Sequence, residues 1–200
     1  GADAPVVAKL QELADHADKS NVRLALYPHA GAYADRVQDC VRLVKAADRR
    51  NLGVTFNLCH FLKVDGRELD KRLEEAAPHL FVVTINGADK DGTGWNTLIQ
   101  PLDAGTYDVL PILRKLKSLK WDGPVGLQHY GIRGSSRDNL GRSMKGWKTF
   151  NSDVTGTISN IHVSGDTAVV EVTWEGTMDG PLETPGGTVP PTGKGHATHG

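Results

Sequence analysis

The apolar positions of this chain change their period as it proceeds. Four short runs, at residues 22–27, 52–57, 80–86 and 124–128, are nearly continuous in Val, Leu, Ile and Phe. Strands covered on both faces read this way. Between and around them the apolar residues fall at helical spacing. Val6, Val7, Leu10 and Leu13 predict a helix over 5–17, with Pro5 at its first turn. Val37, Val41, Leu43 and Val44 predict one over 33–48, and a charged amphipathic helix over 67–77 stops at Pro78. Leu110, Ile112, Leu113 and Leu116 predict a helix over 108–119, and Leu140, Met144 and Trp147 one over 136–150. The order α-βα-βα-βα-βα implies a parallel sheet with right-handed crossovers. Residues 62–66 and 86–105 read as loops, the second Gly- and Asp-rich and anchored by Trp95, Leu98 and Ile99.

After Asn151 the period becomes two. Residues 154–163 and 167–174 alternate around Ser164-Gly165-Asp166, which predicts a β-hairpin. Residues 176–195 are Gly- and Pro-rich and show no periodic element. The chain therefore divides near residue 150, into residues 1–150 and 151–200.

Composition adds little beyond that division. The chain has 200 residues, 38% hydrophobic and 24% charged, with a net charge of −1. That balance and the lack of a basic stripe argue against a nucleic-acid partner. No apolar run approaches the roughly 18 residues of a membrane span. The first residues show no signal-peptide pattern. Two cysteines, Cys40 and Cys59, make no disulfide framework. A cytoplasmic, soluble protein is expected.

The candidate chemistry gathers at strand ends. Residues 54–60, Val-Thr-Phe-Asn-Leu-Cys-His, start as a strand and end in Asn57, Cys59 and His60. Asn57 and His60 are three apart, so a strand that curls into a helical turn aims both at one point. The other runs end in Tyr27-Pro28-His29, Asn86 and Gln128-His129-Tyr130. Parallel α/β sheets and barrels place their active residues at such C-terminal ends. His60, His29 and Gln128 are the catalytic candidates, with Gln128 rather than His129 facing inward because adjacent strand residues alternate. Asn57, Asn86, Asp89, Arg133 and Arg137 are substrate-binding candidates. Arg133 and Arg137 flank a Gly134-Ser-Ser136 turn into a helix, where backbone N–H groups receive anions. Cys59 beside His60 invites a nucleophile reading, but no carboxylate orients the histidine, and burial is the simpler account.

Leu-Tyr-Pro-His29, Asn57-Leu-Cys-His60, Val-Thr-Ile-Asn-Gly-Ala-Asp89 and Gly-Leu-Gln128-His-Tyr-Gly resemble four strand-end motifs of the xylose isomerase-like TIM barrel family. The resemblance implies a half (βα) barrel of four parallel strands with helices, followed by a C-terminal β-hairpin tail. It also implies a sugar or sugar-phosphate isomerase or epimerase. That family holds a divalent metal with Glu, Asp, His and Glu, one per strand, and those positions match Tyr27, Asn57, Thr84 and Gln128 here. The usual metal site is therefore expected to be weak or absent, since hard cations need charged oxygens. A rebuilt site from His29, Asn57, His60, Gln128 and His129 would suit zinc, manganese, cobalt or nickel. Residues 151–195, with Trp174-Glu-Gly-Thr and Pro190-Pro-Thr-Gly193, resemble a fragment of a SnoaL-like, ketosteroid-isomerase-type domain.

Three functions are open on this reading. The first is proton transfer on a carbohydrate-like substrate, with His60 as acid/base group. The second is metal-dependent hydrolysis at a histidine-rich site. The third is a non-catalytic, self-associating binding protein. Four strands supply half of an eight-strand barrel, and the two open edges are templates for pairing. A homodimer or higher homo-oligomer is expected.

Overall fold

The computed structural model describes residues 2–150 and, beyond them, 155–164, 167–178, 182–184, 187–189 and 193–195. The first region runs α1 (Ala4–Asp18), β1 (Leu24–Leu26), α2 (Val37–Ala47), β2 (Leu52–Asn57), α3 (Leu58–Val64) and α4 (Leu69–Ala76). It continues with β3 (Leu80–Ile85), the single turn α5 (Trp95–Leu98), α6 (Leu110–Ser118), β4 (Val125–Leu127) and α7 (Ser136–Phe150). The strands form one sheet in the order β1-β2-β3-β4, and every pairing is parallel. This is the alternating α/β sheet that the hydrophobic pattern predicts, and its four strands make a partial barrel.

The core lies between the sheet and the helices. Val54, Phe56, Val83 and Ile85 of the sheet pack with Cys40, Val41 and Val44 of α2, Leu73 and Ala76 of α4, and Ile112 and Leu116 of α6. Each fully buried aliphatic or aromatic side chain there contributes about 2 kcal/mol of transfer free energy. Gly53 is required on the opposite face: a Cβ would come within 2.6 Å of the His79 carbonyl and the Phe81 ring.

Three stretches differ from the sequence expectation. The loop expected at 62–66 is mostly helix, because α3 starts at Leu58, directly after the last residue of β2. Asn57 makes this possible: in extended conformation, it accepts the His60 N–H and caps the helix. The 86–105 segment is tied by backbone bridges, Gly87 to Gln100 and Ala88 to Gly105. The Gly87 site leaves no room for a side chain, since a Cβ would sit 2.1 Å from the Pro101 carbonyl oxygen. In the last region β5 (Thr155–Ser164) and β6 (Thr167–Met178) pair antiparallel, giving the expected hairpin. The part read as aperiodic contains β7 (Leu182–Thr184), β8 (Gly187–Val189) and β9 (Gly193–Gly195). Strands of three residues, two of them with glycine at an end, carry too little alternation to show in sequence.

Candidate functional site

The mouth of the sheet is built where β2 turns straight into α3. That junction fixes Asn57, which is 1% exposed. Its Oδ1 faces the helix, accepting the His60 N–H at 3.1 Å and the Cys59 thiol at 2.9 Å. A backbone N–H only donates, so the amide can have just one orientation, with Nδ2 toward the sheet. There Nδ2 donates to Tyr27 Oη and to Thr84 Oγ1, both at 2.7 Å. Gln128 completes the set. Its Oε1 accepts the Tyr130 N–H at 3.3 Å, and its Nε2 donates to Tyr27 Oη at 2.9 Å. Thr84, Asn57, Tyr27 and Gln128 thus form one hydrogen-bonded chain across four strand ends. Tyr27 Oη receives two N–H groups, which leaves its own proton free to donate outward. Burial, and then the nearby Cys59, hold the Tyr27 phenol above its ordinary range against the two amide bonds that favour its anion.

An imidazole pair stands beside this chain. The His29 and His60 ring centroids are 4.4 Å apart, and Tyr27 meets His60 edge-on at 5.3 Å. His60 is 5% exposed. Burial, with His29 adding to it, pushes its pKa down to about 4, so it is neutral near pH 7. Ala30 N donates to His60 Nδ1 at 3.1 Å, and His29 Nδ1 bonds the Ala30 carbonyl at 3.1 Å. Gly31, at φ +83°, turns the loop that carries Ala30. Trp95 of α5 closes the other side, 5.2 Å from His60 and 41% exposed. Lys63 lies over its ring at 5.5 Å and donates to the Thr93 carbonyl at 2.6 Å.

The remaining sequence candidates sit elsewhere or do other work. His129 bonds Ser143 Oγ of α7 at 3.0 Å, away from the Tyr27 chain that its neighbour Gln128 joins. Asn86 is fully buried and donates to the Leu98 and Gly87 carbonyls, fastening the long loop. Asp89 is half-buried, and Arg133 and Arg137 are exposed, with no side-chain partner among the described residues. Cys59 is buried, and burial pushes its thiol up to about 11, which removes the thiolate a nucleophile needs. Sequence reasoning left Tyr27, Thr84, Trp95 and Ala30 out of the site. Tyr27 and Thr84 stand at strand ends that the motifs themselves mark. Ala30 acts only through its backbone, which leaves no trace in residue type.

The donor set decides against a divalent cation at the four strand ends. Both amides turn their N–H groups inward, because His60 N and Tyr130 N occupy their oxygens. The remaining groups are a phenol held protonated and a hydroxyl. No carboxylate contributes, and no cluster of three or more His, Cys, Asp or Glu suited to a metal occurs among the described residues. A centre lined by inward N–H groups favours an electronegative atom rather than a cation.

Solved structures share this fold at low identity. One is the apo 3-keto-D-glucoside 4-epimerase YcjR from E. coli, with a TM-score of 0.58 and 19% identity over 71% of this chain and 51% of that one. The probable 3-DHS dehydratase AsbF from Bacillus anthracis gives 0.60 and 16% over 72% and 56%. The IolI protein, solved with a zinc atom, gives 0.59 and 20% over 70% and 52%. This chain therefore spans little more than half the length of these structures. No curated protein matches the sequence. No described helix is long and apolar enough to cross a membrane. The sequence model of the xylose isomerase-like TIM barrel matches residues 2–150, and on that match the chain belongs to the xylose isomerase-like TIM barrel family.

Proposed function

We propose that this chain acts as a sugar or sugar-phosphate isomerase or epimerase, moving a proton next to a carbonyl without a resident metal at the four strand ends. The observation that carries this reading is Tyr27, whose hydroxyl holds two amide N–H donors and has one proton left to give, beside an imidazole pair. A hydrogen-bond donor that polarises a carbonyl does the work of an oxyanion hole, and an imidazole is a suitable proton carrier near neutral pH. The name of the E. coli relative, a keto-glucoside epimerase, supports a carbohydrate substrate. Arg133 and Arg137, exposed at the turn into α7, suit a phosphate on that substrate.

Solvent-deuterium exchange into sugars, keto-glycosides and sugar phosphates tests the reading, with chelator and with each divalent metal added. Exchange that persists in chelator and disappears in Tyr27→Phe is the expected result. Exchange that requires added metal overturns the metal-independent part. No exchange under any condition overturns the enzyme reading and favours a binding role.

Two further parts of the reading concern the rest of the chain. The open strands β1 and β4 are proposed to pair with a second copy, so light scattering should give at least twice the 21.5 kDa of one chain. The β5–β6 hairpin is proposed to be a SnoaL-like fragment with no catalytic residue of its own. Deleting residues 151–200 should then leave exchange intact.

A further inference from the structure

His29 and His60 take opposite hydrogen-bonding roles, and one residue assigns them. A carbonyl oxygen only accepts, so the bond between His29 Nδ1 and Ala30 O at 3.1 Å puts the His29 proton on Nδ1. A backbone N–H only donates, so the bond from Ala30 N at 3.1 Å needs a bare lone pair on His60 Nδ1. In a neutral imidazole the other nitrogen then has the complementary role. His29 offers a lone pair at Nε2, and His60 offers an N–H at Nε2. Neither Nε2 has a partner among the described residues.

We propose that Ala30 divides the pair in this way, making His29 the proton acceptor and His60 a donor beside Tyr27. This deepens the proton-transfer reading and rests on it for the chemical step. It also changes the role expected from sequence, where His60 was the acid/base group. A second proton on His60 would have to sit on Nδ1, facing the Ala30 N–H, so His60 is a poor base.

The step balances without any further reactant. The C–H bond next to the substrate carbonyl breaks, and its proton goes to His29 Nε2. The electron pair left behind becomes the C=C bond of an enolate, with the charge on the former carbonyl oxygen. Tyr27 O–H and His60 Nε2–H are the donors available to that oxygen. The His29 imidazolium keeps its Nδ1–H bond to Ala30. A proton exchanged with water at His29 Nε2 then returns to carbon and restores the carbonyl.

Two-bond proton–nitrogen correlation spectra of the 15N-labelled full chain read the tautomers directly. Spectra of His29→Asn and His60→Asn identify the two rings. His29 protonated at Nδ1 and His60 at Nε2 is the expected result; the reverse tautomer at either ring overturns the division. Exchange kinetics then separate the roles. His29→Asn should lower the exchange rate at saturating substrate by at least about 100-fold. His60→Asn keeps an acceptor for Ala30 N–H and its amide still offers an N–H, so it should lower the rate by about 10-fold, less than the roughly 100-fold that outright loss of one donor costs. Full activity in His29→Asn with loss in His60→Asn overturns the assignment. The expected tautomers with no exchange on any substrate would support the division and sink the proton-transfer reading instead.

Discussion

The phenol of Tyr27 accepts a 2.7 Å hydrogen bond from Asn57 Nδ2, joining the end of one strand to the end of the next. Tyr27→Phe removes that acceptor while leaving the ring. Asn57 is 1% exposed, so its N–H would lose its partner out of reach of water. The expected loss is about 1–3 kcal/mol, measured by urea denaturation. An unchanged stability would mean that the amide finds another acceptor and that the chain across the mouth is not a structural unit.

Carboxylates in place of the two amides should reverse the polarity of this centre. Asn57→Asp together with Gln128→Glu replaces inward N–H groups with oxygens and adds two charges. We expect affinity for manganese or zinc to rise at least about 10-fold over the wild type, as hard oxygen ligands dictate. Calorimetry on chelator-treated protein measures it. A wild type that already binds as tightly as the double variant would refute the argument from amide orientation.

Acid should destabilise the fold through His60. Its folded pKa of about 4 lies below the ordinary value of 6.5. Between those values the unfolded chain takes up a proton that the folded chain refuses. Stability is therefore complete above pH 6.5 and declines as pH falls toward 4, by on the order of 3 kcal/mol from this one group. His79 and His129, also lowered by burial, add in the same direction. His60→Asn should flatten part of the slope between pH 6.5 and 4 in denaturation curves. An identical slope would assign the effect to the other two histidines.

Gly87→Ala should disturb the mouth from a distance. Its Cβ would meet the carbonyl oxygens of Pro101 at 2.1 Å and Ala104 at 2.4 Å. Neither is a flexible side chain, so the backbone of the 86–107 loop must move. A cost of about 1–3 kcal/mol follows. Since the same loop carries Trp95 against His60, its fluorescence should shift as well. Thermal melts and emission spectra would register both, and an unchanged melt would show that the loop yields freely.

The sheet was legible because its strands are runs of Val, Leu, Ile and Phe, separated by helical periods that predict parallel crossovers. The start of α3 was not. Apolar residues continue from Val54 through Phe61 across the strand-to-helix junction, so the pattern shows no boundary. The spacing of Asn57 and His60 carried the one clue, and it is the capping interaction that the structure contains. At the mouth, residue types could be read but not their directions. Which way Asn57 and Gln128 turn depends on the backbone N–H groups of His60 and Tyr130. The roles of His29 and His60 depend on the peptide groups of Ala30. Such groups are the same in every residue, so they are invisible until the chain is folded.

The bond between Gln128 Nε2 and Tyr27 Oη joins residues 101 positions apart, at the ends of the two outermost strands of the sheet. In a flat sheet those strands would stand about 14 Å apart at the usual spacing of 4.8 Å. Two long side chains meeting across the concave side therefore act as a latch. A guest carbonyl that accepts the Tyr27 proton leaves this latch in place, because Gln128 occupies a lone pair of that oxygen and not its hydrogen. Gln128→Ala would open the latch and free that lone pair, so the side chain that ties the two edge strands also decides which side of the Tyr27 hydroxyl is left for a guest.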